Sequence, residues 1–392
     1  MKALIFFEEK MLKPTGGPAG YLYNIYTKKQ QIDDQDLVFL NAENKKAGKH
    51  FMKIILPRLV RKIVYKNHPR MRYLKNISDN GKIPRVIDLA KYDLIHFHGT
   101  LDMYSAREDL KNYKGVVVLT THSPKVFFRE NIEDYMPPEE YEYFKNYYDG
   151  IEEIDKYAFK RADYIIFPCE GAEEPYYHSW PLYKNFRDSS KIRYLPTGIF
   201  PVFSSVNRKI IRKKYNIPET AILISFVGRH NEVKGYDLLQ QIFSKIDDVY
   251  VICCGKILSI QPPDSNHWIE VGWTDDPYSI VAASDIYMLP NRETYFDIAM
   301  LQTLSLGKCS VISNTGGNKE FKNTAGVKLY NTLDEAVVYV KDFANMPIEK
   351  RVELEEQQRI EFRRKYSIDV FYRDYKKLLE GLVEEKAISN EQ

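Results

Sequence analysis

Short apolar runs rich in β-branched and aromatic residues recur along this chain, several of them separated by helix-length segments, and this rhythm restricts the fold more than any other feature. The runs lie at 2–7, 36–40, 93–98, 116–121 and 163–168, and the series resumes at 222–228, 249–254, 268–271, 285–289 and 309–313. Strands that alternate with helices predict an α/β fold with parallel sheets covered on both faces. Two such series predict two doubly wound, Rossmann-like domains, and 392 residues with 44% hydrophobic content are enough for two cores. Between the series, Tyr194-Leu195-Pro196-Thr197-Gly198-Ile199-Phe200-Pro201 places two prolines and a glycine where both periodicities stop, which predicts the interdomain linker. The tail starts at Ser367 and Asp369 and carries Val370, Phe371, Tyr375, Leu378, Leu379 and Leu382 at helical spacing. That stripe predicts an amphipathic last helix that docks, followed by a frayed polar end at 386–392.

Composition excludes several functions. The net charge of +3 is too small to argue for nucleic acid, and no zinc-like Cys/His spacing accompanies it. The four cysteines, Cys169, Cys253, Cys254 and Cys309, sit in or at the end of apolar runs and read as small buried hydrophobes in a reducing cytoplasm. A strand begins at Lys2 without a leader-like segment, and no apolar run approaches the roughly 18 residues a spanning helix needs. Residues 44–75 are different: eleven Lys or Arg occur there without one Asp or Glu. Within them Arg58, Arg61, Lys62 and Lys66 alternate with apolar positions at helical spacing after Pro57. Such a helix suits an anionic lipid surface, and equally an ordinary domain helix with a basic outer face. An acidic, tyrosine-rich stretch from Asp134 to Tyr157 reads as helix surface, with tyrosines also suited to stacking on sugars.

The chemistry concentrates at Gly228-Arg229-His230-Asn231-Glu232-Val233-Lys234-Gly235, directly after the apolar run 222–227. Loops at the carboxyl end of a strand in an open α/β sheet aim backbone N–H groups into the ligand crevice. An arginine and a lysine five apart in such a loop suit a diphosphate, although a basic turn there is also what a solvated corner looks like.

Taken in chain order, further elements join this loop. They are Thr15-Gly16-Gly17-Pro18-Ala19-Gly20 after the first strand, Leu119-Thr120-Thr121-His122-Ser123, the linker Leu195-Pro196-Thr197-Gly198, Ala283-Ser284-Asp285-Ile286-Tyr287-Met288-Leu289-Pro290, the acidic segment Glu293 to Gly307, and Gly316-Gly317-Asn318-Lys319-Glu320. In this order the chain resembles the retaining glycosyltransferases of family 4 (glycosyltransferase group 1), over nearly its whole length. The resemblance implies the GT-B architecture: an acceptor-binding domain over 1–197 and a nucleotide-sugar-binding domain over 198–365 facing a central cleft, with a helix at 366–385 crossing back. It implies that Arg229 and Lys234 stabilise the leaving diphosphate, that His122 contacts the transferred sugar, and that Glu293 is presented to that sugar by a small local insertion. It also assigns the donor to Gly16, Gly17, Gly20, Gly228, Gly272, Thr294, Phe296, Asp297, Ile298 and Gln302.

Two positions depart from the family pattern of paired glutamates. Counted back from Gly307, they are occupied by Thr294 and Gln302, and Asp297 stands where the family often has glycine. Its backbone N–H is then expected to face phosphate, with its carboxylate turned away or on a sugar hydroxyl. A glutamine still hydrogen-bonds ribose, more weakly than a carboxylate. His96 and His98 flank a strand end and lack a third metal ligand, so one is expected to pack and the other to line the cleft. No Asp-x-Asp ends a strand, and no cofactor or metal is called for. The implied reaction is metal-independent hexosyl transfer from a nucleotide-diphosphate sugar, UDP-linked, to a glycan or lipid-linked glycan for cell-surface polysaccharide or glycoconjugate synthesis. The cysteines point to the cytoplasm, and the lipid-surface reading of residues 44–75 adds a peripheral place on the inner face of the plasma membrane. An inactive nucleotide-sugar-binding or scaffold subunit is the alternative that Thr294 and Gln302 leave open. A nicotinamide-dependent dehydrogenase is not, because the first loop lacks Gly-x-Gly-x-x-Gly.

Overall fold

The structure, a computed structural model, describes residues 1–7, 12, 17–40, 88–127, 129–130 and 145–391. Gly16, the basic segment 44–75 and residues 134–144 of the acidic stretch lie outside the described residues. The chain divides into two compact units, one of residues 1–167, 176–195 and 374–392, the other of residues 168–175 and 196–373.

In the first unit six parallel strands are β1 (Ala3–Phe6), β2 (Leu37–Leu40), β3 (Leu94–Phe97), β4 (Val116–Leu119), β5 (Tyr164–Phe167) and β6 (Ile192–Tyr194), in the order β2-β1-β3-β4-β5-β6. Every residue of β1, β3, β4 and β5 is buried, as strands covered on both faces require, and this is why they read as continuous apolar runs. Helix α1 (Gly17–Gln31) joins β1 to β2, and α2 (Lys145–Arg161) precedes β5. Strand addition reverses direction between β1 and β3, which makes their carboxyl ends a topological switch point.

The second unit repeats the principle with β7 (Ile222–Val227), β8 (Val249–Cys254), β9 (Trp268–Gly272), β10 (Ile286–Leu289), β11 (Ser310–Ser313) and β12 (Val327–Tyr330), ordered β12-β11-β10-β7-β8-β9. Here the reversal falls between β7 and β10. Its helices are α3 (Arg208–Lys214), α4 (Tyr236–Phe243), α5 (Pro277–Ala283), α6 (Ile298–Leu306), α7 (Leu333–Ala344) and α8 (Ile348–Glu361). Local chemistry sets several of their ends. Asp276 caps α5 ahead of Pro277, Thr332 and Glu335 form a reciprocal capping box on α7, and Gly307 in the left-handed region (φ 69°) closes α6.

The last helix, α9 (Ile368–Glu391), begins among residues of the second unit and continues among those of the first. Phe371, Tyr375, Leu379 and Leu382 of the expected stripe are buried, while Val370 and Leu378 are half-buried. Lys376 meets Asp34 and Asp36 (2.8 and 2.6 Å), and Lys386 meets Asp163 (2.6 Å).

One buried carboxylate anchors the second unit. Asp285, immediately before β10, accepts from Arg208 and Arg212 of α3 (2.8 and 2.7 Å), from Arg351 of α8 (3.0 Å) and from the Leu223 N–H of β7 (2.9 Å). Arg212 is fully buried, and its guanidinium also donates to the carbonyls of Pro218, Ala221 and Ala283, so its desolvation is met by a complete set of acceptors. Asp285→Ala leaves Arg212 buried without its counter-ion and is expected to cost about 3–5 kcal/mol, read as a lowered urea midpoint for the second unit. Lys245→Ala, which removes an exposed ion pair with Asp334, is the control and is expected to move the midpoint by less than about 1 kcal/mol.

Candidate active site

In the second unit, the carboxyl ends of β7 and β10 are where connections run to opposite faces of the sheet and leave a crevice. The loops after them, 228–235 and 290–297, are tied to each other. Arg292 donates its backbone N–H to the Val233 carbonyl (3.0 Å) and its guanidinium to the Glu232 carbonyl (2.7 Å). The same guanidinium holds Asp237 through two bonds of 2.7 and 2.5 Å. Gly235 has φ 65° and lies so close to the Pro290 carbonyl that no Cβ fits, so glycine is needed both for the turn and for the approach. His230 is buried flat against Tyr236, ring centroids 4.0 Å apart, which fixes the loop from within.

Lys234 and Asp297 meet here. Lys234 Nζ lies 2.5 Å from Asp297 Oδ2, which also accepts from Asn291 (3.1 Å), while Oδ1 caps α6 through the Ala299 N–H (3.1 Å). Burial by itself would raise the Asp297 pKa. The Lys234 charge and the hydrogen bonds from Lys234, Asn291 and Ala299 outweigh burial and hold the carboxyl below its usual range. The Asp297 carboxylate, expected from the sequence to turn away or to meet a sugar hydroxyl, is taken up by Lys234, Asn291 and the Ala299 N–H. Arg229, by contrast, is exposed, and among the described residues its guanidinium has no hydrogen bond or ion pair.

The other candidate positions of this unit sort by what their side chains touch. Gly228 donates its N–H to Cys254 (2.9 Å), and Gly272, with φ 75°, accepts from Gly255 (2.9 Å), so they stand at the carboxyl ends of β7 and β9, on either side of β8. Phe296 packs on Phe321 (centroids 5.5 Å), and Phe296 and Ile298, both half-buried, pack against the apolar core. Thr294 is buried, and its carbonyl accepts from the Gly317 N–H (3.1 Å). Glu293 is half-buried on the 290–297 loop. Gln302 donates to the Tyr278 hydroxyl (3.2 Å) and, with Val227, Tyr287 and Thr303, lines a small cavity.

In the first unit the switch-point strands deliver histidines. His96, within β3, is fully buried between the Tyr375 hydroxyl (2.7 Å from Nδ1) and the Thr120 hydroxyl (2.9 Å from Nε2). His98, just past β3, places Nδ1 2.7 Å from Nε2 of His122. His122, in the loop after β4, sits at φ 59°, a left-handed conformation that non-glycine residues adopt at a cost and that clusters at functional positions. Gly17 (φ 74°) opens α1, and Gly20 is buried in its first turns. The next residue, Tyr21, packs its ring edge-on to His122 at 4.6 Å. Burial pushes the His122 pKa down to about 3. Burial, and secondarily the neighbouring imidazoles, pushes His96 and His98 well below their ordinary value, so all three rings are neutral at physiological pH.

Sequence reasoning did not find Asn291, Arg292 or Tyr278. The position of Asn291 and Arg292 directly after Pro290 at a strand end was the available signal. Among the described residues no group of three or more His, Cys, Asp or Glu could hold a metal ion.

Two family descriptions match the chain: Glycosyltransferase Family 4 over residues 34–201 and Glycosyl transferases group 1 over residues 207–359. A curated relative, the O-antigen biosynthesis glycosyltransferase WclY of Escherichia coli, is 25% identical over 169 residues, which is 40% of this chain. The chain spans about half of that relative's length, 48%. Among solved structures, sucrose-phosphate synthase from Thermosynechococcus elongatus is similar with a TM-score of 0.65 at 13% identity, over 98% of this chain and 100% of that one. Anabaena HepE in complex with UDP gives 0.62 at 13% identity, over 97% and 100%. The trehalose 6-phosphate synthase of Burkholderia multivorans gives 0.65 at 11% identity, over 100% and 98%. These likenesses give the fold, which is GT-B.

Asp297→Ala removes a helix cap and the partner of Lys234, and is expected to lower stability by about 2 kcal/mol at neutral pH. Because the folded pKa is depressed, the part due to ionisation is fully present above the unfolded value of about 3.9 and is lost as pH falls through the folded value. Urea midpoints of wild type and variant should therefore differ by a constant amount from about pH 6 to 8, with the difference shrinking as pH falls from about 3.9 through the folded value.

Proposed function

Membership of glycosyltransferase family 4, the retaining and metal-independent group to which this chain belongs, is the premise from which we propose its reaction. The protein transfers a hexosyl unit from a nucleotide-diphosphate sugar, UDP-linked, to a glycan or lipid-linked glycan acceptor in the synthesis of cell-surface polysaccharide. The observation that carries this reading is the switch point of the second unit, where Arg229 and Lys234 stand on one loop beside the amino end of α6. As the bond from the anomeric carbon to the leaving oxygen breaks, its electron pair moves onto the diphosphate. Arg229 and Lys234 offer charge-assisted donors to that developing charge. The acceptor hydroxyl attacks from the same face, and its proton passes to the leaving phosphate oxygen. Lys234 reaches the phosphate by sharing or exchanging Asp297. In this reading His122 meets the transferred sugar, Gly16, Gly17 and Gly20 admit the donor, Glu293 serves the sugar, and Gln302 serves the ribose.

The UDP bound by HepE and the O-antigen role named for WclY support the donor and acceptor classes. We place the protein in the cytoplasm at the inner face of the membrane, with residues 44–75 as its anionic-lipid contact. Among the described residues no helix is long and apolar enough to cross a membrane.

The second reading, a nucleotide-sugar-binding subunit without turnover, is favoured by the same Asp297, which already neutralises Lys234, and by Thr294 and Gln302 at the expected glutamate positions. A thermal-shift panel of UDP, GDP, ADP, CDP and their sugars, with and without EDTA, separates the possibilities when joined to turnover. A nucleotide at one hundred times its Kd is expected to stabilise by about 2.7 kcal/mol. Arg229→Ala is expected to lose about a hundredfold or more of donor turnover with its unfolding midpoint unchanged. Unchanged turnover refutes the assignment, and a nucleotide shift without turnover selects the subunit reading. Replacing Arg58, Arg61, Lys62 and Lys66 by glutamate is expected to abolish sedimentation with phosphatidylserine vesicles at low salt.

A further inference from the structure

The role of His122 in the family reading leaves the imidazole beside it without a task. His98 Nδ1 is 2.7 Å from His122 Nε2, with the two rings stacked at 5.0 Å and 21°. Both rings are neutral, so one nitrogen of the contact carries the shared proton and the other accepts it. Because a neutral imidazole has a single N–H, the choice made at this contact dictates whether the second nitrogen of each ring donates or accepts.

The neighbouring contacts decide the direction. The Thr120 hydroxyl donates to the Ile166 carbonyl (3.2 Å), so its oxygen accepts from His96 Nε2, and His96 Nδ1 accepts from the Tyr375 hydroxyl. His96 is thereby fixed and makes no demand on His98, on which its ring lies at 4.1 Å. His98 is 3% exposed, and among the described residues its Nε2 has no hydrogen-bond partner. A buried lone pair without a partner is tolerated better than a buried N–H without one. The proton of His98 therefore belongs on Nδ1.

We propose that His98 is a positioning residue: its Nδ1–H donates to His122 Nε2, which forces the single proton of His122 onto Nδ1 and makes that nitrogen a hydrogen-bond donor to an oxygen of the donor substrate, a hexosyl hydroxyl or the leaving phosphate. The proposal rests on the family reading that His122 meets the transferred sugar, and it names the polarity of that contact. Tyr21, edge-on to His122 at 4.6 Å and 5.6 Å from His98, holds the pair in place, and the left-handed backbone at His122 fixes the origin of the side chain.

Two measurements on the full chain test it. In protein labelled with nitrogen-15 histidine, His122 is expected to show a pyrrole-type Nδ1 and a pyridine-type Nε2, with a scalar coupling across the hydrogen bond to His98 Nδ1. A proton on His122 Nε2, or no coupling, overturns the proposal. With UDP-glucose as donor, His98→Phe is expected to lower kcat about tenfold to a hundredfold, by analogy with the loss of the partner that orients a metal-bound histidine, with donor KM little changed. His98→Asn, whose amide occupies the place of Nδ1 and can donate to His122, is expected to recover most of that loss. Asn as slow as Phe at equal thermal stability, or Phe as fast as wild type, overturns it as well. If wild-type protein turns over no UDP-glucose, the family reading is what is in question, and the tautomer measurement still decides the proposal.

Discussion

Parallel strands can be joined only by crossovers, and crossovers of one hand force the chain to opposite faces of the sheet whenever strand addition changes direction. The second unit meets that constraint at β7 and β10, and most of its special chemistry is placed by it. At the amino ends of these two strands Asp285 gathers three arginines and the Leu223 N–H into one hydrogen-bonded cluster. At their carboxyl ends the two loops diverge and must be held by side chains, which is the work of Arg292, Gly235 and the Lys234–Asp297 pair. One end is pinned by charge taken out of water, and the other keeps its charge at the surface, where Arg229 stands exposed.

The first unit reaches order by another means. Three imidazoles made neutral by burial are linked through Tyr375, Thr120 and one another, so a polar network runs through an apolar interior at little desolvation cost. The strained backbone of His122 is affordable only because its neighbours over-determine its place.

How far the sequence revealed this depended on whether a feature was local. The buried central strands were legible because both faces are covered and the runs are continuous. The edge strands Ile192–Tyr194 and Val327–Tyr330 were not, since three or four residues with Arg193 or Lys328 among them carry no comparable signal. Arg229 and Lys234 could be read off a strand-to-helix loop, but the capture of Lys234 by a residue 63 positions away could not. Asp297 was visible as an oddity, while its function as an N-cap required knowing where α6 begins. His98 and His122 were each noticed singly, and only the pairing of β3 with β4 reveals that they share a proton.

Tyr375 belongs to the last helix, yet its hydroxyl fixes the tautomer of an imidazole 279 residues earlier in the chain. The polar interior of the first unit is therefore closed by a residue that follows all six of its strands in the chain, so local sequence around the sheet does not by itself order its histidines.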